Sequence, residues 1–161
     1  MYNSQHQDTR YSDVISSVVS SQGELTEIRY HLHTGRVVAR ADVHAAGGYH
    51  PGILVGADKY GQYWIAHHHE KNRKPVIEPV EAFCHGQRLM FDLREVRFGP
   101  LEVAARAMQQ VLKGRAYHQA AYDAEDFVQA SVSGSYPAAI GKLSEGLVLL
   151  GVLSVFLGII E

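Results

Sequence analysis

Tyr49-His50-Pro51-Gly52-Ile53-Leu54-Val55-Gly56 is the stretch that decides the reading of this chain. A histidine heads a short apolar, β-branched run, and glycines stand two residues after it and at its close. The run is too short for a helix and reads as a buried strand ending in a turn, Gly56-Ala57-Asp58. A histidine at the head of such a strand is presented at a sheet end, where a helix N-terminus can meet it.

Strands are expected on both sides. Gly35-Arg36-Val37-Val38-Ala39-Arg40 is β-branched and led by glycine, and Ala45-Ala46-Gly47-Gly48 turns the chain into the decisive stretch. Gln62-Tyr63-Trp64-Ile65-Ala66-His67-His68 is the next strand. The spacing of about a dozen residues predicts an antiparallel meander. Glu24 to Leu32 alternates and is a candidate strand, whereas Asp13 to Val19 is ambiguous between helix and strand. Pro75 to Pro79 is held extended by its prolines, Glu81 to Gln87 has no clear reading, and Arg88 to Val96 is a further candidate strand.

Two helices should follow. Pro100 to Leu112 has proline at its start, a glycine after its end at Gly114, and one apolar face from Leu101, Ala104, Ala105, Met108, Val111 and Leu112. The second should begin around Asp123, with Glu125 and Asp126 in a first turn that favours acidic groups. Gly146 to Ile160 carries no charge and is apolar on every side. At about 1.5 Å per residue it falls short of a bilayer span. Contact with a membrane or a partner is the favoured reading, and a core helix is the plain one.

Composition sets limits. The chain has 161 residues, enough for one domain with a core, and a formal net charge of −2 with no basic stripe, so no nucleic-acid partner is expected. Cys84 is the single cysteine, so no internal disulfide can form. The polar run from Met1 to Ser21 lacks the apolar segment of a signal peptide, and an intracellular, membrane-associated location is expected. The 10 histidines include the triplet His67-His68-His69, but no cysteine-rich partner or His-Glu-x-x-His helix accompanies them, so no metal or other cofactor is expected.

A thiol nucleophile needs a base and gains from a helix N-terminus. His50 suits the base, His67 on the next strand suits the group that orients it, and position 124 suits the helix start. Position 124, however, is alanine. Cys84 lies beside His85, but neighbours on an extended strand face opposite ways and make no dyad.

These segments resemble the lecithin:retinol acyltransferase family and its small phospholipase/acyltransferase relatives. His50-Pro51-Gly52-Ile53-Leu54-Val55-Gly56 matches the family's His-x-Gly-Ile-x-x-Gly, and Ile65-Ala66-His67 its second histidine. Val37-Val38-Ala39-Arg40 and Gly47-Gly48-Tyr49 resemble the preceding strand and turn. Tyr117 and Asp123-Ala124-Glu125-Asp126-Phe127-Val128 follow the order of the family's tyrosine and Asn-Cys-Glu-His/Asp-Phe segment. The resemblance covers roughly residues 35 to 160.

It implies an α+β fold with a small antiparallel sheet packed with helices, in a permuted papain-like cysteine-enzyme arrangement, plus a hydrophobic C-terminal helix. The expected divisions are a polar extension 1–34, a catalytic domain 35–135 and a hydrophobic tail 136–161. The site would comprise His50, His67, Asp123 and the nucleophile position Ala124, supported by Tyr49, Tyr117, Arg40 and Glu125. The loop from Gly56 to Tyr63 is long for the family, so His68 and His69 stand as alternatives for the orienting histidine. The implied substrate is a lipid or other acyl ester, with membrane contact or self-association through the tail. Ala124 is either a Cys→Ala substitution at an otherwise maintained site, which is the favoured reading, or the mark of a natural pseudoenzyme that binds lipid or serves an assembly. Peptidase or amidase chemistry on the same fold is the rival among enzymes.

Overall fold

A computed structural model describes residues 14–19, 25–45, 47–113 and 123–135. Tyr117 and the hydrophobic run 146–160 lie outside the described residues.

The chain is α+β. One seven-stranded antiparallel sheet is formed by β1 (Val14–Val19), β2 (Leu25–Arg29), β3 (Val37–Ala41), β4 (Tyr49–Ala57), β5 (Tyr63–His69), β6 (Lys74–Pro79) and β7 (Met90–Phe91). The helices are α1 (Val80–Cys84), α2 (Pro100–Leu112) and α3 (Ala124–Ser133).

The expected meander holds from β3 through β6, each strand pairing with the next. β2 departs from it. It meets the far end of β4, Arg29 opposite Ala57, and carries β1 outward as a hairpin. A Cβ on Gly56 would lie 2.3 Å from the Arg29 carbonyl oxygen, so this junction needs a residue without a side chain. Residues 1–34, expected as a polar extension, thus include two strands of the sheet. The candidate strand over Arg88–Val96 shrinks to Met90–Phe91, which closes on β3.

The sheet buries both faces. On one, Val37, Ile53, Val55, Trp64 and Ala66 meet Val103, Ala104, Ala107 and Met108 of α2 and Phe127, Val128 and Val132 of α3. On the other, Val38, Leu54 and Ile65 lie under Phe83 of α1. Strand alternation assigns successive residues of β3, β4 and β5 to these two sides. Full burial of each large apolar side chain contributes about 1.5–3 kcal/mol.

α2 begins as expected, with Gly99 as N-cap and Pro100 in the first turn, where a missing N–H costs nothing. It is tied to α3 by a buried amide. Gln110 Nε2 donates to Ser131 Oγ at 2.7 Å and to the Phe127 carbonyl at 3.2 Å. α3 starts where Asp123 caps it: the Asp123 carboxylate accepts from the N–H groups of Glu125 and Asp126, and the Asp126 carboxylate accepts from the N–H of Asp123.

Candidate functional site

His50 pairs in register with Arg40 across β3 and β4, and both share a face with Val38, Gly52 and Leu54. His67 follows Ile65 onto that face from β5. A Cβ on Gly52 would lie 2.7 Å from Ile65 Cγ2 and 3.2 Å from His67 Cβ. The glycine two residues after His50 therefore leaves room for β5 to bring His67 close.

The two imidazoles meet. Nε2 of His50 and Nδ1 of His67 are 3.0 Å apart, and both residues are only 2 % exposed. Beyond them, His67 Nε2 reaches Glu78 Oε2 at 3.1 Å, and His50 Nδ1 stands 3.1 Å from Glu70 Oε1. A continuous polar chain, Glu78–His67–His50–Glu70, so crosses β6, β5 and β4. Phe83 roofs it, with its ring 5.0 Å from that of His67 and 5.8 Å from that of His50. The Arg40 guanidinium lies over the same Phe83 ring and pairs with Asp42 and Glu70.

Burial lowers the pKa of His50 to about 3, with the charges of His67 and Arg40 acting in the same direction. Burial also lowers that of His67, against the opposing pull of Glu78. The hydrogen bond from His67 in turn holds the Glu78 carboxyl below its usual range. Both imidazoles are therefore neutral near pH 7, and each has one donor and one acceptor nitrogen.

Position 124 lies elsewhere. Ala124 opens α3, and α3 packs on the face of Ile53 and Ala66, across the sheet from Phe83 and the two histidines. His68, one residue further along β5, belongs to the α3 face. It is buried, burial lowers its pKa, and the negative charge of Asp123 acts on it in the opposite sense. The structure thus brings His50, His67 and Arg40 together on one face, and puts Asp123, Ala124 and His68 on the other. The expectation that Ala124 would stand beside the His50 ring is corrected accordingly: strand parity turns residues 50 and 53 to opposite sides, and Ile53 is the one under α3.

The other expected residues divide in the same way. Tyr49 and Glu125 line one cavity of about 370 Å³ on the α3 side, together with Pro51 and Arg94. Arg94 forms an ion pair with Glu125 and another with Asp92. His69 ends β5, where its Nδ1 accepts the N–H of Lys71. Cys84 is half-buried on α1, and burial pushes its thiol pKa up, the reverse of an activated nucleophile.

Sequence reading missed Asp42, Glu70, Glu78, Phe83 and Arg94. Glu78 carried a usable signal, an acid inside the extended run Lys74–Pro79. His67 and Glu70, with Arg40, Asp42, His69 and His85, border a second cavity of about 270 Å³. Comparison of the chain with protein-family models, with curated proteins and with solved structures gives no match.

Proposed function

We propose that this chain is built on the plan of the thiol acyltransferases and acyl hydrolases that it resembles, in their permuted papain-like arrangement, with alanine where their nucleophile stands. The observation that carries this reading is the placement of buried His68, on the strand after the matched His50 segment, on the face of the sheet where α3 begins at position 124, with the charge of Asp123 acting on it. His50 and His67, joined to each other and to Glu78, lie on the other face. Position 124 is the first residue of a helix, whose dipole would favour a thiolate there.

In the parent chemistry a thiolate at 124 attacks the carbonyl of a lipid ester. The ester C–O bond breaks, the alcohol leaves, and the acyl-cysteine then passes its acyl group to water, an amine or an alcohol. Alanine forms no such bond, so the chain as it stands binds acyl esters without turning them over. Tyr49, Pro51 and Glu125 border the cavity offered to the acyl ester. Residues 136–161 supply the contact with an intracellular membrane surface.

Two histidines compete for the role of base. His50 comes from the matched segment, yet it leaves the sheet on the Phe83 side. His68 shares a face with α3. The test is Ala124→Cys, alone and combined with His50→Ala or His68→Ala, alkylated with iodoacetamide in the presence of a chelator and mapped by mass spectrometry. The thiol introduced at position 124 should react faster than Cys84 below the ordinary thiol range and should release the acyl group of an ester substrate. Loss with His50→Ala supports the base named by the resemblance. Loss with His68→Ala alone keeps the chemistry and moves the base. An introduced thiol no more reactive than Cys84 in every background overturns the reading.

A further inference from the structure

We propose that Asp42, His50 and Glu70 form a binding site for one divalent transition-metal cation of the zinc type. The three residues each offer one ligand atom, and these atoms lie within 4.8 Å of one another. Tetrahedral ligands held at about 2.0–2.2 Å from zinc stand about 3–4 Å apart, so small adjustments close the set. One imidazole with two carboxylates suits zinc, manganese, iron or cobalt better than calcium or magnesium. Water would complete the coordination.

A second observation comes from the hydrogen-bond logic of the chain. The Glu78 carboxylate can only accept, so His67 Nε2 must donate to it. His67 Nδ1 is hydrogen-bonded to Nε2 of His50. That engages one ring nitrogen of His50 and aims the other, Nδ1, at Glu70 Oε1, 3.1 Å away. His50 is only 2 % exposed, so this nitrogen is delivered to the carboxylates from a fixed ring. The arrangement behind it is the one that serves metal-bound histidines: the far ring nitrogen is hydrogen-bonded outward, which fixes the ring from behind.

Arg40 supplies the positive charge when the metal is absent. Its guanidinium bridges Asp42 and Glu70, yet Nε makes no hydrogen bond among the described residues. A dication bound by His50 Nδ1 would replace Arg40 on Glu70 and leave it paired with Asp42. Arg40 is therefore a competitor whose removal should tighten binding.

This inference does not depend on the acyl-transfer reading, and its test uses no reactive thiol. The full chain, stripped with chelator, is titrated with zinc by calorimetry, and its cobalt(II) form is read by visible spectroscopy. One equivalent should bind. Glu70→Gln, at an exposed position that leaves folding intact, should weaken it more than about tenfold, and Glu78→Gln by roughly tenfold through the outer shell. Arg40→Met should tighten it. His69→Ala with His85→Ala should leave it unchanged. No binding overturns the proposal. So does binding that survives Glu70→Gln and disappears with His69→Ala and His85→Ala, which would mark surface histidines as the ligands.

Discussion

Nε2 of His50 and Nδ1 of His67 share a hydrogen bond of 3.0 Å between adjacent strands, buried under the Phe83 ring. The contact joins two residues 17 positions apart, and it leaves each ring one further nitrogen, one for Glu70 and one for Glu78. His67→Ala leaves Nε2 of His50 buried without its partner and opens a void under Phe83. It should destabilise the fold by about 2–4 kcal/mol. Urea denaturation of the two single variants and of the His50→Ala/His67→Ala double variant measures the coupling. Losses that simply add would mean that the hydrogen bond contributes nothing.

The same burial predicts a pH dependence. His50 sits at about 3 in the fold against 6.5 for an ordinary imidazole, and His67 is lowered too. Below about pH 6.5 the unfolded chain therefore binds protons that the folded chain refuses. Stability is complete above that pH and falls as the pH drops towards 3. The slope should reach up to about 1.4 kcal/mol per pH unit for each buried histidine. The lowered carboxyl of Glu78 acts in the same direction, in the window below 4.5. Denaturation midpoints between pH 7.5 and 4.5 check this, and His50→Gln should flatten the curve.

Under the proposed plan asparagine would stand at position 123, and the cap that Asp123 makes is one that asparagine could also make. The Asp123 carboxylate takes the N–H groups of Glu125 at 2.8 Å and Asp126 at 3.0 Å. Asparagine accepts the same bonds. Asp123→Asn should shift stability by no more than a few tenths of a kcal/mol, and Asp123→Ala should cost about 1 kcal/mol. Hydrogen exchange in the first turn of α3 should rise in the alanine variant alone. Equal behaviour of the two variants would deny the cap its role.

How much of this was legible follows from the range of each signal. α2 was legible end to end because proline, apolar period and a following glycine all act within one helix. The start of α3 was legible because a cap is local, and β3 to β5 because apolar β-branched runs are. Helix α1 was not: with five residues between Pro79 and a left-handed His85, it is too short to show a period. Glu78 joined His67 through the pairing of β5 with β6, a register that no spacing along the chain announces. The face of His50 was within reach. Strand parity decides at His50 and Ile53 which residue meets α3, whereas at Cys84 and His85 a helix makes it irrelevant.

Residues 143–161 should be separable from the folded core. Among the described residues, the two hydrophobic clusters run from Val18 to Val132, and each is closed by its own helices. No described helix is long and apolar enough to cross a membrane. The uncharged run from Gly146 to Ile160 would reach about 22 Å as a helix, against a hydrocarbon core of about 30 Å. Partial insertion or association with a second copy fits that length better than a lone straight span. Deleting 143–161 should therefore leave the urea midpoint nearly unchanged while abolishing flotation with phospholipid vesicles, self-association, or both. Flotation and light scattering on the full and shortened chains read these out. A shortened chain that unfolds would place the run in the core, where its apolar surface would be buried by β-sheet and helices rather than by lipid.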